Sequence, residues 1–268
     1  MSLEVTGPRV PILLPVSRRS FVKSGLGALA ACALPGCGDD SPTEVPYTGP
    51  RLTARPGTPT LEPAVGLSPL GVGGSRDGVL YVPESYSADT PMPLFVGLHG
   101  AGSEGRDWQS YYARAENHGF VLLAPDSRAA TWDLLYGQFG ADVVFLDQAL
   151  QHVFDRCLID PTRIALGGFS DGATYALSLG VSNGDLFTHL VAYSPGSLRP
   201  SDPLVGEPRI FISHGTRDEV LPVEVTRDGI VPALTEAGYD VTYREHVGFH
   251  EVPYAISEAA LAWFLDAG

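Results

Sequence analysis

Ser170 stands in Gly168-Phe169-Ser170-Asp171-Gly172. A serine hydroxyl is a weak nucleophile at neutral pH. It needs a base within hydrogen-bond reach and a third group to orient that base. The spacing Gly-x-Ser-x-Gly places a serine at the apex of a strand-to-helix turn, a nucleophile elbow. The apex residue is held in a strained backbone conformation, and the glycines remove side chains that would collide there. The helix that follows opens with unpaired N–H groups facing whatever sits beside the serine. In a chain with 31 glycines the spacing alone carries little weight. The flanks carry more. Ile164-Ala165-Leu166 is an apolar run of strand type, and Ala173, Ala176, Leu177 and Gly180 share a helical face.

An elbow of this kind takes its partners in the order nucleophile, acid, histidine. The acid expected is Asp218, in His214-Gly215-Thr216-Arg217-Asp218-Glu219-Val220-Leu221-Pro222, just past a strand ending at Ser213. Asp202 is a looser alternative, and Glu219 reads as a solvated turn carboxylate. The base expected is His250, in Gly248-Phe249-His250-Glu251-Val252-Pro253, between the last strand and the last helix. His246 is the rival, but it falls within the strand. His246 and His250 are four apart, a metal-ligand spacing. Gly248 interrupts any helix between them and no third ligand stands near, so no metal site is read. His99, His118, His152, His189 and His214 read as structural or surface residues. The developing oxyanion needs two backbone N–H donors. These are expected from Asp171, directly after the serine, and from Ala101 in Leu98-His99-Gly100-Ala101-Gly102, a loop that His99 buttresses. Substrate contacts are expected from Trp132, in the loop over 129–139, and from Phe249. Core or lid packing is the alternative for such aromatics.

The elements that must hold these residues alternate between strand and helix. Strands are expected over 78–86, 93–99, 120–125, 164–166, 190–194, 209–214 and 240–246, with 67–72 pairing as an edge hairpin. Helices are expected over 107–118, 141–157, 173–179, 223–237 and 251–265. Apolar strands between helices imply an α/β fold: a mainly parallel sheet of about eight strands with helices on both faces. Chemistry in such sheets sits at the carboxyl ends of the strands. No cofactor motif is present, since Gly71-Val72-Gly73-Gly74 opens no helix.

The N-terminus reads as an address. Ser17-Arg18-Arg19-Ser20-Phe21-Val22-Lys23 resembles a twin-arginine export signal, and 26–34 is a short apolar run. Leu34-Pro35-Gly36-Cys37 resembles a lipobox, which makes Cys37 the lipidated first mature residue. Residues 1–37 are thus read as a signal peptide and 38–64, with Pro42, Pro46, Pro50, Pro56, Pro59 and Pro63, as a tether. Residues 65–268 form the catalytic domain. Any membrane contact is then through a lipid anchor alone, and the expected location is the cell envelope or outside. Seventeen basic residues against 31 acidic give a net charge of −14, a surface that repels nucleic acid. Of three cysteines, Cys157 alone lies in the body, so no disulfide forms there.

Taken together, the blocks around His99, Ser170, Asp218 and His250 resemble the α/β-hydrolase superfamily. Within it they resemble the phospholipase/carboxylesterase group and the secreted polyhydroxybutyrate depolymerase and feruloyl esterase-like lipoproteins. The resemblance runs from about Gly78 to Leu265. It implies the roles of nucleophile, acid and base for Ser170, Asp218 and His250, and of oxyanion donors for Ala101 and Asp171. It implies hydrolysis of a small or polymeric ester. Two residues depart from the pattern: Phe249 stands where a small residue is usual, and Asp171 follows the serine in place of Gln, Ala or Met. A peptidase or thioesterase on the same triad, or a non-catalytic surface lipoprotein, are the competing functions.

Overall fold

The computed structural model describes residues 49–266. β1 (Gly66–Pro69) and β2 (Gly78–Val82) form an antiparallel hairpin at one edge. β2 also runs antiparallel to β4 (Val121–Pro125). From there β3 (Met92–Leu98), β5 (Ile159–Phe169), β6 (His189–Tyr193), β7 (Arg209–Gly215) and β8 (Val241–His246) continue in parallel. The eight strands lie in the order β1-β2-β4-β3-β5-β6-β7-β8. The expected edge hairpin and mainly parallel sheet are both present. This is the α/β-hydrolase fold.

The central strands are covered on both faces, which is why they read as unbroken apolar runs. On one face, Trp108, Tyr111 and Ala115 pack with Ala260, Leu261 and Phe264 against Phe95, Leu122 and Phe211. These belong to α1 (Tyr112–His118), to the 3-10 turn Gly105–Tyr111 before it, and to α6 (Tyr254–Leu265). The other face carries α3 (Ala141–Phe154), α4 (Asp171–Gly180) and α5 (Val231–Glu236). A short α2 (Asp133–Tyr136) lies in the stretch expected to be loop.

The helix expected over 107–118 starts tighter than an α-helix. Glu104 and Asp107 cap it reciprocally, the Glu104 N–H donating to Asp107 Oδ2 at 3.1 Å. The helix expected over 223–237 opens with a wide π-type turn, Val225–Ile230, just ahead of Pro232. Proline brings no N–H and crowds the carbonyl four residues back, which favours such a departure.

The larger difference concerns the stretch expected to be a tether. Its described part is fastened to the body. Leu52 and Ala54 are buried. The Leu52 N–H donates to Asn183 Oδ1 at 2.9 Å, and Asn183 Nδ2 donates back to Pro50 O at 2.7 Å. Asp147 accepts from the N–H groups of Thr53 and Ala54 and from the Thr53 hydroxyl. Arg51 and Arg55 pair with Asp185. Proline favours an extended chain, and an extended chain offers free backbone groups for Asp147 and Asn183 to take. The folded body therefore reaches back to Pro50, not to 65. The export signal and Cys37 lie outside the described residues.

Candidate active site

The strand tips on the carboxyl side of the sheet converge on Ser170. Gly168 of β5 is level with Leu98 of β3, and Phe169 with Tyr193 of β6. β5 ends at Phe169 and α4 begins at Asp171, so the whole reversal happens at Ser170. Its backbone has φ 57° and ψ −120°, a conformation strained for a residue with a side chain. The Ser170 N–H donates to Tyr193 O at 2.9 Å, which pins the apex to β6. The glycines serve close approach. A Cβ on Gly168 would lie 2.2 Å from Gly172 O, and one on Gly172 would lie 2.2 Å from Leu98 O.

Asp218 and His250 come from the loops after β7 and β8. Those loops are stitched by backbone bonds, Thr216 N–H to His246 O and Arg217 N–H to Gly248 O, both at 2.9 Å. Gly215 permits this, because a Cβ there would meet Phe249 O at 2.3 Å. Asp218 Oδ1 accepts the N–H groups of Val220 and Leu221 at 2.9 and 2.8 Å. Its Oδ2 faces His250 Nδ1 at 2.6 Å, and His250 Nε2 faces Ser170 Oγ at 2.9 Å. Burial alone would raise the Asp218 pKa. The bonds from Leu221, His250 and Val220 outweigh it and hold the carboxyl below its usual range. Asp218 is thus ionised and His250 Nδ1 carries the proton. Nε2 is left with a lone pair aimed at the serine. Asp202 and His246 are not in this line.

Two residues that sequence reasoning did not place here complete the surroundings. His214, fully buried, brings Nε2 to 3.2 Å from Asp218 Oδ2 and 2.8 Å from Leu221 O. Burial pushes its imidazole pKa down, so it is neutral and donates to both. Its place four residues before Asp218, at the end of β7, was the available signal. Phe169 lays its ring against His250, with centroids 4.7 Å apart. The variable position inside the elbow gave no signal for that.

The loop expected to supply an oxyanion donor lies beside the serine. A Cβ on Gly100 would be 3.5 Å from Ser170 Cβ. The Gly102 N–H is already committed to Ala130 O at 2.7 Å, which leaves Ala101 and Gly100 as the candidates in this loop. Asp171 is the first residue of α4, where an N–H has no intrahelical acceptor. His99 buttresses the loop as expected. Its Nε2 accepts the Ser127 N–H at 2.9 Å, so Nδ1 carries the proton and reaches Gly100 O at 2.7 Å.

The aromatic expectations fare differently. Trp132 has no exposed surface, and its indole N–H donates to His99 O at 2.8 Å. Its ring lies tilted between His99 and Tyr175, so it supports the loop and offers no surface to a ligand. Phe249 is exposed beside His250. A cavity of about 310 Å³ opens next to Gly100 and Phe169, walled by Trp108, Tyr111, Tyr193 and Tyr254. In its lining the Tyr111 and Tyr193 hydroxyls share a hydrogen bond of 2.7 Å, and Arg114 lies over the Tyr111 and Tyr254 rings. No group of metal-ligating side chains is found among the described residues.

No protein-family profile matches the chain. A probable feruloyl esterase C from Aspergillus oryzae is 28% identical over 159 residues, 56% of this chain and 57% of that protein. Feruloyl esterase C of Emericella nidulans is 27% identical over 159 residues, with the same coverage. The aligned part is thus little more than half the length of these curated relatives. Among solved structures, esterase PE8 superposes with a TM-score of 0.58 at 22% identity, covering 74% of this chain and 98% of that one. A ferulic acid esterase from Anaeromyces mucronatus, solved with ferulic acid, gives 0.53 at 18% identity, covering 76% and 90%. Strand order and these superpositions agree on the α/β-hydrolase fold, and the relatives and neighbours that the chain is similar to are named esterases.

Proposed function

We propose that the chain is a serine hydrolase that cleaves carboxylic esters through an acyl-enzyme. The observation that carries this is the line from the Asp218 carboxylate through His250 to the Ser170 hydroxyl, with gaps of 2.6 and 2.9 Å. His250 takes the Ser170 proton as Oγ attacks the ester carbonyl. The carbonyl oxygen becomes an oxyanion, held by the N–H groups of Ala101 and Asp171. When the tetrahedral species collapses, the C–O bond to the alcohol breaks and His250 gives that alcohol its proton. Water then loses a proton to His250 and attacks the acyl carbon. The acid departs, and the proton returns to Ser170. Asp218 orients His250 throughout and stabilises its charged form.

The acyl group is placed in the cavity beside Gly100 and Phe169. Its aromatic walls suit a flat aromatic acyl chain, with the tyrosine hydroxyls and Arg114 as polar groups in the lining. The curated relatives named feruloyl esterases support a hydroxycinnamate ester as substrate. Export through a twin-arginine signal and anchoring at Cys37 belong to the same reading, supported by the motifs around Arg18, Arg19 and Cys37. Replacing Arg18 and Arg19 with Lys should retain the protein in the cytoplasm, and Cys37→Ser should release it from membranes on fractionation. The decisive assay is Ser170→Ala on p-nitrophenyl acetate and butyrate. Turnover equal to wild type would overturn the mechanism.

A further inference from the structure

An oxyanion hole works because its donors are fixed before charge develops. Under the reading above, the two donors here sit on separate elements, the loop after β3 and the first turn of α4. Something must hold those elements at one spacing. Direct contact sets the lower limit, since Gly172 is packed hard against the Leu98 and His99 carbonyls. Nothing in that contact stops the elements from drifting apart.

Three consecutive residues between β4 and α2 supply the opposing pull. Ala130 O accepts the Gly102 N–H at 2.7 Å. The Thr131 hydroxyl donates to Asp171 Oδ2 at 2.7 Å. The Trp132 indole N–H donates to His99 O at 2.8 Å. The first and third bonds grip the loop on both sides of Ala101. The second grips the residue whose N–H is the other donor. The brace is anchored at its Trp132 end: Trp132 is wedged between His99 and Tyr175, and the next residue, Asp133, exchanges hydrogen bonds with Asp142.

Asp171 gives Thr131 a further task. A carboxylate directly after the nucleophile brings negative charge close to where the oxyanion forms, and like charges there oppose the reaction. The Thr131 hydroxyl holds one oxygen of that carboxylate on the side of the brace.

We propose that Ala130-Thr131-Trp132 is a positioning brace for the oxyanion hole, tying the Ala101 loop to Asp171 and holding the Asp171 carboxylate aside. The proposal rests on the hydrolase reading of Ser170. Its residues act through the donors and touch no substrate.

The test is Thr131→Val, which keeps shape and removes the donor, beside Thr131→Ser, which keeps the donor. With p-nitrophenyl acetate, Thr131→Val is expected to lower kcat roughly tenfold with KM little changed. Affinity for a trifluoromethyl ketone transition-state analogue should fall in step, and Thr131→Ser should restore both. Asp171→Ala approaches the same bond from the other end and serves should Thr131→Val fold poorly. Since Asp171→Ala also removes the charge, it should cost less than Thr131→Val if the carboxylate's release does the harm. The Thr131→Val/Asp171→Ala double variant should then match Asp171→Ala alone. An unchanged kcat in folded Thr131→Val, a rise confined to KM, or full additivity in the double variant overturns the brace. Ser170→Ala run in parallel separates the two claims. If it keeps wild-type turnover, the hydrolase reading fails. If it is inactive while the Thr131 variants match wild type, the brace alone fails.

Discussion

Asp218 carries more hydrogen bonds than a carboxylate needs to be soluble. Two backbone N–H groups hold Oδ1, and two imidazoles face Oδ2. The arrangement allows no donor at the Oδ2 position. In Asp218→Asn an amide nitrogen there would face His250 Nδ1–H, and the ring would shift its proton to Nε2, against the serine. The expected loss in kcat is about 10³–10⁴, the scale of removing the acid from such a triad. Circular dichroism and a thermal melt check that folding survives; a loss below tenfold in folded protein counts against the acid role. The elbow glycines give a different kind of prediction. Gly172→Ala would put a methyl 2.2 Å from the Leu98 carbonyl oxygen, which is backbone and cannot swing away. Overpacking of this sort costs about 1–3 kcal/mol. Chemical denaturation measures it, and the loss of turnover should exceed what the loss of stability explains, because the strain falls on both oxyanion walls.

At the scale of elements, the sequence was legible where a local pattern sufficed. The strand-turn-helix around Ser170 could be read because both glycines and both flanking periodicities lie within a few residues. Asp218 and His250 could be placed because parallel strands deliver their following loops to one edge. Trp132 could not, because a tryptophan in a loop looks the same whether it faces a ligand or supports a neighbour. Only the His99 carbonyl and the Tyr175 ring, distant in sequence, decide the matter. The cavity between α1 and α6 was equally hidden, since its wall joins residues from β5, β6 and two helices. Tyr254, at the start of α6, tests that cavity with least harm, being 71% exposed yet set over Arg114 at 4.8 Å. Tyr254→Ala should lower kcat/KM for a hydroxycinnamate ester several-fold, about 1 kcal/mol of lost aromatic and cation contact, and leave an acetate ester near wild type. Equal losses on both esters would place the acyl group elsewhere.

For the whole molecule, the segment from Pro50 to Arg55 decides what counts as the domain. Composition favoured a free tether because six prolines and few large apolar residues look unfit for a core. Leu52 nonetheless inserts beside α4, and a buried leucine contributes about 1.5–3 kcal/mol. A chain beginning at Val65 should therefore melt several degrees lower than one beginning at Gly49 and expose apolar surface beside α3 and α4. The clasp also carries a pH signature. Arg51, bonded through two nitrogens, and then Arg55 hold the Asp185 carboxyl at about 2 against partial burial, which alone would raise it. Its pKa is lower folded than unfolded. The clasp thus contributes fully above the ordinary carboxylate range near 3.8 and is lost as pH falls toward about 2. The side chains are about one-third exposed, so water and salt screen the pair, and its worth is on the order of 1 kcal/mol. Between pH 7 and 5 hydrogen exchange of Leu52 and Ala54 should stay constant. Below about pH 4 it should accelerate ahead of the central strands, and Asp185→Asn should show the faster exchange already at pH 7. Exchange of Leu52 that follows the central strands at every pH would mean the segment is held by its apolar contacts and by Asp147, with the arginine pair contributing nothing.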